Sequence, residues 1–217
     1  SRNIAYEPVF LPFSHPLSLR WQDMQTMKQA YSDLARYYVK QWVRGEPFCL
    51  WDIDDAITQL VKTTPSKSRC GSGVTTVAVT ADEDIFACHM STGMADARLG
   101  DLQRGLDEKR CMPWRERYLQ GRTGCSGCWV RALCGGGCNT HALLYNKSLC
   151  HPYRLECELI KHRYRLALWI LAEIPGLKEK ISARLTAGAN DSGHLLAPLW
   201  SYSDRPAENG QKSEQVY

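Results

Sequence analysis

The sequence predicts an α+β protein, a small β-hairpin and several helices gathered around inorganic clusters. Three observations carry that expectation. Cys125, Cys128, Cys134 and Cys138 fall as C-x2-C-x5-C-x3-C, four thiols in a glycine-rich stretch with almost no other reactive side chain. Residues 74–80 read Val-Thr-Thr-Val-Ala-Val-Thr, a β-rich run suited to a hairpin. Apolar residues recur at three- and four-residue steps over 21–43 and again over 157–171, the period of amphipathic helices.

The elements follow in order. Residues 4–11 can form a strand bounded by Pro12 and Pro16. Over 21–43, Met24, Met27, Tyr31, Leu34, Tyr38 and Trp42 make one helical stripe, which is expected to pack against a neighbour; Gly45 and Pro47 stop it. Asp52 is placed to cap a short helix carrying Ile53, Ile57, Leu60 and Val61, ended by Thr63, Thr64 and Pro65. Past the hairpin, Leu102 and Leu106 suggest a helical turn or two, and Pro113 opens another turn around Trp114 and Tyr118. Pro152 suits the first turn of a helix reaching Glu173, with Cys157, Ile160, Tyr164, Leu168 and Leu171 on one stripe, so that Cys157 faces inward. Pro175 and Gly176 end it, and polar residues 201–217 read as a mobile tail. No internal repeat is visible.

Four cysteines so spaced could hold one Zn²⁺, as in zinc ribbons, or divide themselves between iron–sulfur clusters. The last x3 gap has the form seen in two-cluster ferredoxins, where the final Cys binds the other cluster. The glycines allow positive φ and a close approach of backbone to sulfide or metal. There are 10 Cys in 217 residues, the others at 49, 70, 88, 111, 150 and 157. Disulfide scaffolds are usually short and rarely carry tight C-x2-C pairs, so metal-bound thiols in a reduced, cytoplasmic setting are expected. No apolar leader opens the chain and no apolar run reaches membrane-spanning length. Arg104, Lys109, Arg110, Arg115, Arg117 and Arg122 form a basic stretch. With a net charge of only +4 it reads as a solvated face or a dock for an anionic peptide, ahead of nucleic acid.

Cys70-Gly71-Ser72-Gly73, the hairpin run, Asp82 to Cys88, Leu99-Gly100-Asp101-Leu102, the four-Cys loop and Cys157 together resemble a SPASM domain. That is the auxiliary iron–sulfur domain at the C-terminus of many radical S-adenosylmethionine enzymes that modify peptides and proteins. All seven cysteines of the pattern stand in order over about residues 70–160. One departure is Glu83, where the family usually has Gly before x4-C; the turn is expected to be built differently, or by Asp82 and Asp84. The C-x3-C-x2-C motif of the catalytic barrel is absent, and a 24.6 kDa chain has no room for that barrel.

The resemblance implies the C-terminal portion of a larger enzyme. Residues 1–65 would be the last strand and helix of a (β/α) barrel with a bridging helix, 66–173 the twin-cluster domain, and 174–217 an extension. It implies one [4Fe–4S] cluster on Cys125, Cys128, Cys134 and Cys157, and another on Cys70, Cys88 and Cys138. The second of these lacks a family ligand, because Thr75 and Thr76 stand where some members carry an extra Cys. Cys111 is the preferred fourth ligand and Cys150 the next, while Cys49, Cys111 and Cys150 equally suit packed thiols; an open iron is the alternative. His89 and His141 could ligate iron or hydrogen-bond a ligand, and Trp129 and Arg131 would shield a cluster. S-adenosylmethionine and a third cluster would belong to the missing barrel, so no catalytic residue is expected here. The implied partners are a peptide or protein substrate, the barrel portion and an external electron donor. The clusters would act in electron transfer and substrate positioning. A zinc- or cluster-stabilised binding scaffold without catalysis is the other class.

Overall fold

A computed structural model describes residues 3–62, 70–116 and 122–188. The first described element is strand β1 (Asn3–Ile4), followed after a 3-10 turn by helix α1 (Met24–Val43). Strand β2 (Cys49–Leu50) pairs parallel with β1 and runs directly into α2 (Trp51–Val61), giving a β-α-β unit. Four short strands follow: β3 (Ala78–Val79), β4 (Asp84–Phe86), β5 (Arg98–Asp101) and β6 (Gly105–Leu106). They form one antiparallel sheet in sequence order, with a register irregularity at Ile85 and Phe86. Helices α3 (Glu108–Arg115), α4 (Arg131–Cys134), α5 (Asn139–Asn146), α6 (Arg154–Glu173) and α7 (Leu177–Gly188) complete it. The architecture is α+β, as the sequence predicts.

The largest core is helical. α1 and α2 both lie against α6, and α7 closes on α2. Ala35 and Tyr38 meet Ile53 and Ile57 there, with Tyr164, Ala167 and Ile170 of α6 and Leu177 and Ile181 of α7. A second cluster backs the sheet and contains Ile85, Phe86, Leu99, Cys111, Trp114 and Leu143. A third joins Met24, Met27 and Tyr31 of α1 to Tyr153, Leu155 and Leu159. The α1 stripe is therefore core, as its period requires.

Several local expectations are corrected. Only two residues of 4–11 and its flank join the parallel pair, Asn3 and Ile4; the rest has no strand partner among the described residues. Asp52 does not cap α2, because the helix begins one residue earlier; Asp52 pairs with Arg163 at 2.9 Å, and Asp54 instead accepts the Leu50 N–H at 2.6 Å. Leu102 and Leu106 are not helical: they flank the β5–β6 turn and are half exposed. Gly100 is required at this turn, since a Cβ there would lie 2.0 Å from the Gly105 carbonyl oxygen. Pro113 sits inside α3, whose N-cap is Asp107, accepting the Lys109 N–H at 2.9 Å. Pro152 precedes α6 rather than opening it, and Leu168 is 47% exposed, off the buried stripe of Leu155, Leu159, Tyr164, Ala167 and Ile170. The turn at Glu83 is not rebuilt around Asp82 and Asp84: Glu83 itself takes a left-handed φ of 65°, uncommon without glycine. Residues 63–65, Tyr118 and 201–217 lie outside the described residues.

Candidate metal centres

The seven cysteines of the sequence pattern fall into two neighbourhoods. The first holds Cys125, Cys128, Cys134 and Cys157. Cys134 ends the one-turn helix α4, which leans on the helical core with Cys128 and Leu133. Gly135, Gly136 and Gly137 then all take positive φ, at 68°, 98° and 76°. Such a run needs glycine, and it turns the Gly136 and Gly137 N–H groups onto the Cys134 sulfur. Burial raises the Cys134 thiol pKa despite those bonds, with Glu156 and Cys125 adding to the rise. Cys157 arrives from α6; burial, then Glu156, Cys134 and Cys125, push its thiol up to about 12. Burial likewise raises Cys125, with Cys128 adding and Arg122 opposing. Lys161 feels both Cys128 and Cys157. These four thiols therefore stand close enough to act on one another. A cavity of about 100 Å³ between α2 and α6 has Cys134, Glu156 and Tyr164 in its wall.

The second neighbourhood forms where the sheet meets the N-terminus of α5. Cys138 is the residue before that helix. Asn139 donates to Ser72 Oγ at 2.9 Å, and the Cys70 thiol donates to the same oxygen at 3.1 Å. Thr140 Oγ1 lies 3.1 Å from Cys88 Sγ. The two residues after Cys138 thus tie in Cys70 and Cys88, one each. The Gly73 N–H donates to the Ala87 carbonyl at 2.8 Å, joining the Cys70 loop to the strand that delivers Cys88. Thr75 and Thr76 fold back onto Gly71, where a Cβ would meet Thr75 Oγ1 at 2.1 Å.

The remaining cysteines differ. Cys111 is 1% exposed and packs in the apolar cluster behind the sheet, where burial raises its pKa. Cys150 is exposed, and its carbonyl accepts the Thr123 N–H at 2.9 Å. Cys49 lies far along the chain beside Asp54; burial, then Asp54, push it up to about 12. None of the ten cysteines is joined in a disulfide. His89 is exposed, whereas His141 is buried beside Cys138 and Glu156. Its Nδ1 lies 3.3 Å from Glu156 Oε2, without the alignment of a hydrogen bond. Burial alone would depress His141, but Cys138 and Glu156 outweigh it and raise the pKa to about 10. Trp129 is 48% exposed, with the Arg165 guanidinium 5.8 Å from its ring.

Three residues gain importance that their sequence positions did not carry. Glu156 accepts the Cys138 N–H at 3.2 Å while also raising Cys134 and Cys157, so it stands between the two neighbourhoods. Its position just before Cys157 was the one available signal. Asn139 is buried through bonds that only the folded chain supplies. Arg122, read from sequence as surface charge, is 5% exposed and donates to Gly136 O and Asn139 Oδ1. Others of that basic stretch are paired: Arg115 with Glu108, and Arg110 with Asp107 at 3.7 Å.

Among the described residues no three His, Cys, Asp or Glu side chains converge tightly enough to hold a single ion. In the first neighbourhood, thiol donors, backbone N–H groups on the Cys134 sulfur and the run of positive-φ glycines suit an iron–sulfur cluster; the second offers three thiols held through hydroxyl and amide bonds. Among the described residues no helix is long and apolar enough to cross a membrane.

No family model and no curated protein matches the chain. Solved structures do. The anaerobic sulfatase-maturating radical S-adenosylmethionine enzyme anSMEcpe, with bound AdoMet and Kp18Cys peptide, aligns with 77% of this chain and 47% of its own, at 15% identity and a TM-score of 0.54. A histidine-tagged form of that enzyme with bound AdoMet aligns with 83% and 48%, again at 15% identity, with a TM-score of 0.55. The likeness is one of fold. The chain spans about half the length of these structures.

Proposed function

We propose that this chain is the auxiliary-cluster part of a radical S-adenosylmethionine enzyme that modifies a peptide or protein, together with the last β-α-β unit of its barrel. The observation that supports the reading is that Cys125, Cys134 and Cys157 act on one another, while Asn139 and Thr140, the two residues after Cys138, hydrogen-bond toward Cys70 (through Ser72) and Cys88. Cys125, Cys128, Cys134 and Cys157 would hold one [4Fe–4S] cluster, and Cys70, Cys88 and Cys138 another, with Cys111 as the fourth ligand to be tested. When bound, such clusters supply one-electron transfer. The chain's own residues would keep water from the thiolates, present the Gly136 and Gly137 N–H groups to sulfur, and hold Glu156 between the sites. A peptide substrate, an electron donor and a reducing compartment belong to the same proposal; its support is the shared fold with a structure that holds a peptide and AdoMet.

The deciding experiment is iron and acid-labile sulfide analysis, with the visible spectrum, on anaerobically purified protein. Iron and sulfide for two clusters are expected, and two zincs without iron would overturn the proposal. The chain lacks C-x3-C-x2-C, so on its own it should not cleave S-adenosylmethionine reductively. Detection of 5′-deoxyadenosine from the isolated chain would contradict this.

A further inference from the structure

Arg122 is a buried guanidinium whose two acceptors, the Gly136 carbonyl and the Asn139 side-chain amide, carry no charge. Burying a cation against neutral groups is costly unless an anion stands nearby. The placement is specific. A Cβ on Gly136 would come within 3.1 Å of Arg122 Cδ and Nε, so the turn from Cys134 to Cys138 is shaped to admit this side chain. The second arm reaches Asn139, which continues through Ser72 to the Cys70 thiol. One cation thus touches the framework of both cysteine neighbourhoods. With all thiols protonated nothing in these contacts balances its charge; with thiolates bound to iron, both sites are net anionic.

We propose that Arg122 is the shared counter-ion and positioning residue of the two cluster sites, tying the Cys134-to-Cys138 turn to the Cys70 loop and holding both reduction potentials up. This rests on the cluster reading proposed above. Adding an electron to an anionic centre is easier beside a fixed positive charge, so removing the charge lowers the potential.

The test is potentiometric titration of the full chain, followed by electron paramagnetic resonance, with iron counted in parallel. Arg122→Gln should move both midpoint potentials to more negative values. Arg122→Lys keeps the charge while losing the forked hydrogen bonds, and should stay near wild type in potential. Asn139→Asp sets a carboxylate against the guanidinium, and should lower the potentials with Arg122 in place; it decides the matter if Arg122→Gln fails to hold iron. Potentials unchanged in Arg122→Gln and Asn139→Asp overturn the proposal. So does Arg122→Lys falling as far as Arg122→Gln, which would assign the effect to the bonds alone. A wild-type chain that binds no iron overturns the proposed function and this inference together. A wild type with two clusters whose potentials ignore Arg122 overturns the inference alone.

Discussion

Cys128 and Cys134 pack on the helical core and Cys157 lies on α6, whereas Cys70 and Cys88 sit beside a small sheet on hydroxyl contacts to Ser72 and Thr140, with Asn139 tying Ser72 to the start of α5 after Cys138. Behind the first group stand α2 and α6, packed against each other in the largest core. Behind the second stands a sheet of strands two to four residues long. A thiol on a packed helix keeps its place when its neighbours change. A thiol placed through Ser72, Asn139 and Thr140 depends on each link. The two sites should therefore fail differently, and the predictions probe that difference.

The largest effect is expected from Cys157→Ala. It removes a thiol that joins α6 to the glycine loop, so about half the iron and the local order of residues 125–138 should be lost together, because metal and fold are coupled at such sites. Cys88→Ala should lower iron too, while the helical core keeps its protection. Iron counts with hydrogen exchange on both variants measure this. Equal loss of protection in α6 from both substitutions would erase the asymmetry.

Gly73→Ala attacks the sheet-borne site without touching a thiol. Gly73 has φ of 69°, and a Cβ would lie 2.8 Å from Trp114 Cβ. Positive φ and overpacking together should cost about 3–4 kcal/mol. Thermal unfolding would read the loss, and the spectral change should be confined to one cluster. Perturbation of both clusters would show that the supports are not separate.

The helical support has its own weak point in Asp54, 4% exposed, which accepts from Tyr38 Oη and the Leu50 N–H. Burial raises its pKa to about 6, although those bonds oppose the rise. A carboxyl raised in the folded state contributes stability that is full below its ordinary value near 3.8 and is lost as pH climbs through 6. The apo-protein should lose on the order of 2–3 kcal/mol across that window. Asp54→Asn should flatten the slope in denaturant unfolding between pH 4 and 6. An unchanged slope would refute the assignment.

Much of this was legible in the sequence, and the failures have causes. The period of α1 was readable because its face is buried along twenty residues. The C-x2-C-x5-C-x3-C spacing was readable because cysteines close in sequence stay close in space. Strands of two to four residues show no alternation, so β3 to β6 could not be bounded, and the four-residue step from Leu102 to Leu106 imitated a helix. Asp52 and Asp54 are chemically equal as caps; only packing against Tyr38 and Arg163 separates them. Arg122 looked like surface charge because its burial is set by Gly136 and Asn139, fourteen and seventeen residues away.

The smallest expected effect is also the one that tests the fourth ligand of the sheet-borne site. Cys111 is among the most buried residues of the apolar cluster, with Trp114 on its own helix and Phe86 and Leu99 among its companions. If it ligates iron, Cys111→Ala leaves Cys70, Cys88 and Cys138 in place, and one iron becomes exchangeable with an altered resonance. If it is packed only, the substitution deletes one sulfur from an apolar setting and should cost on the order of 1 kcal/mol, with both cluster signals intact. Iron counts and electron paramagnetic resonance of the reduced variant separate these. Two unaltered signals remove Cys111 from the ligand set and leave the sheet-borne cluster with three cysteines. That outcome would sharpen the contrast between the sites, since the cluster with the weaker support would then also be the one with an iron open to exchange.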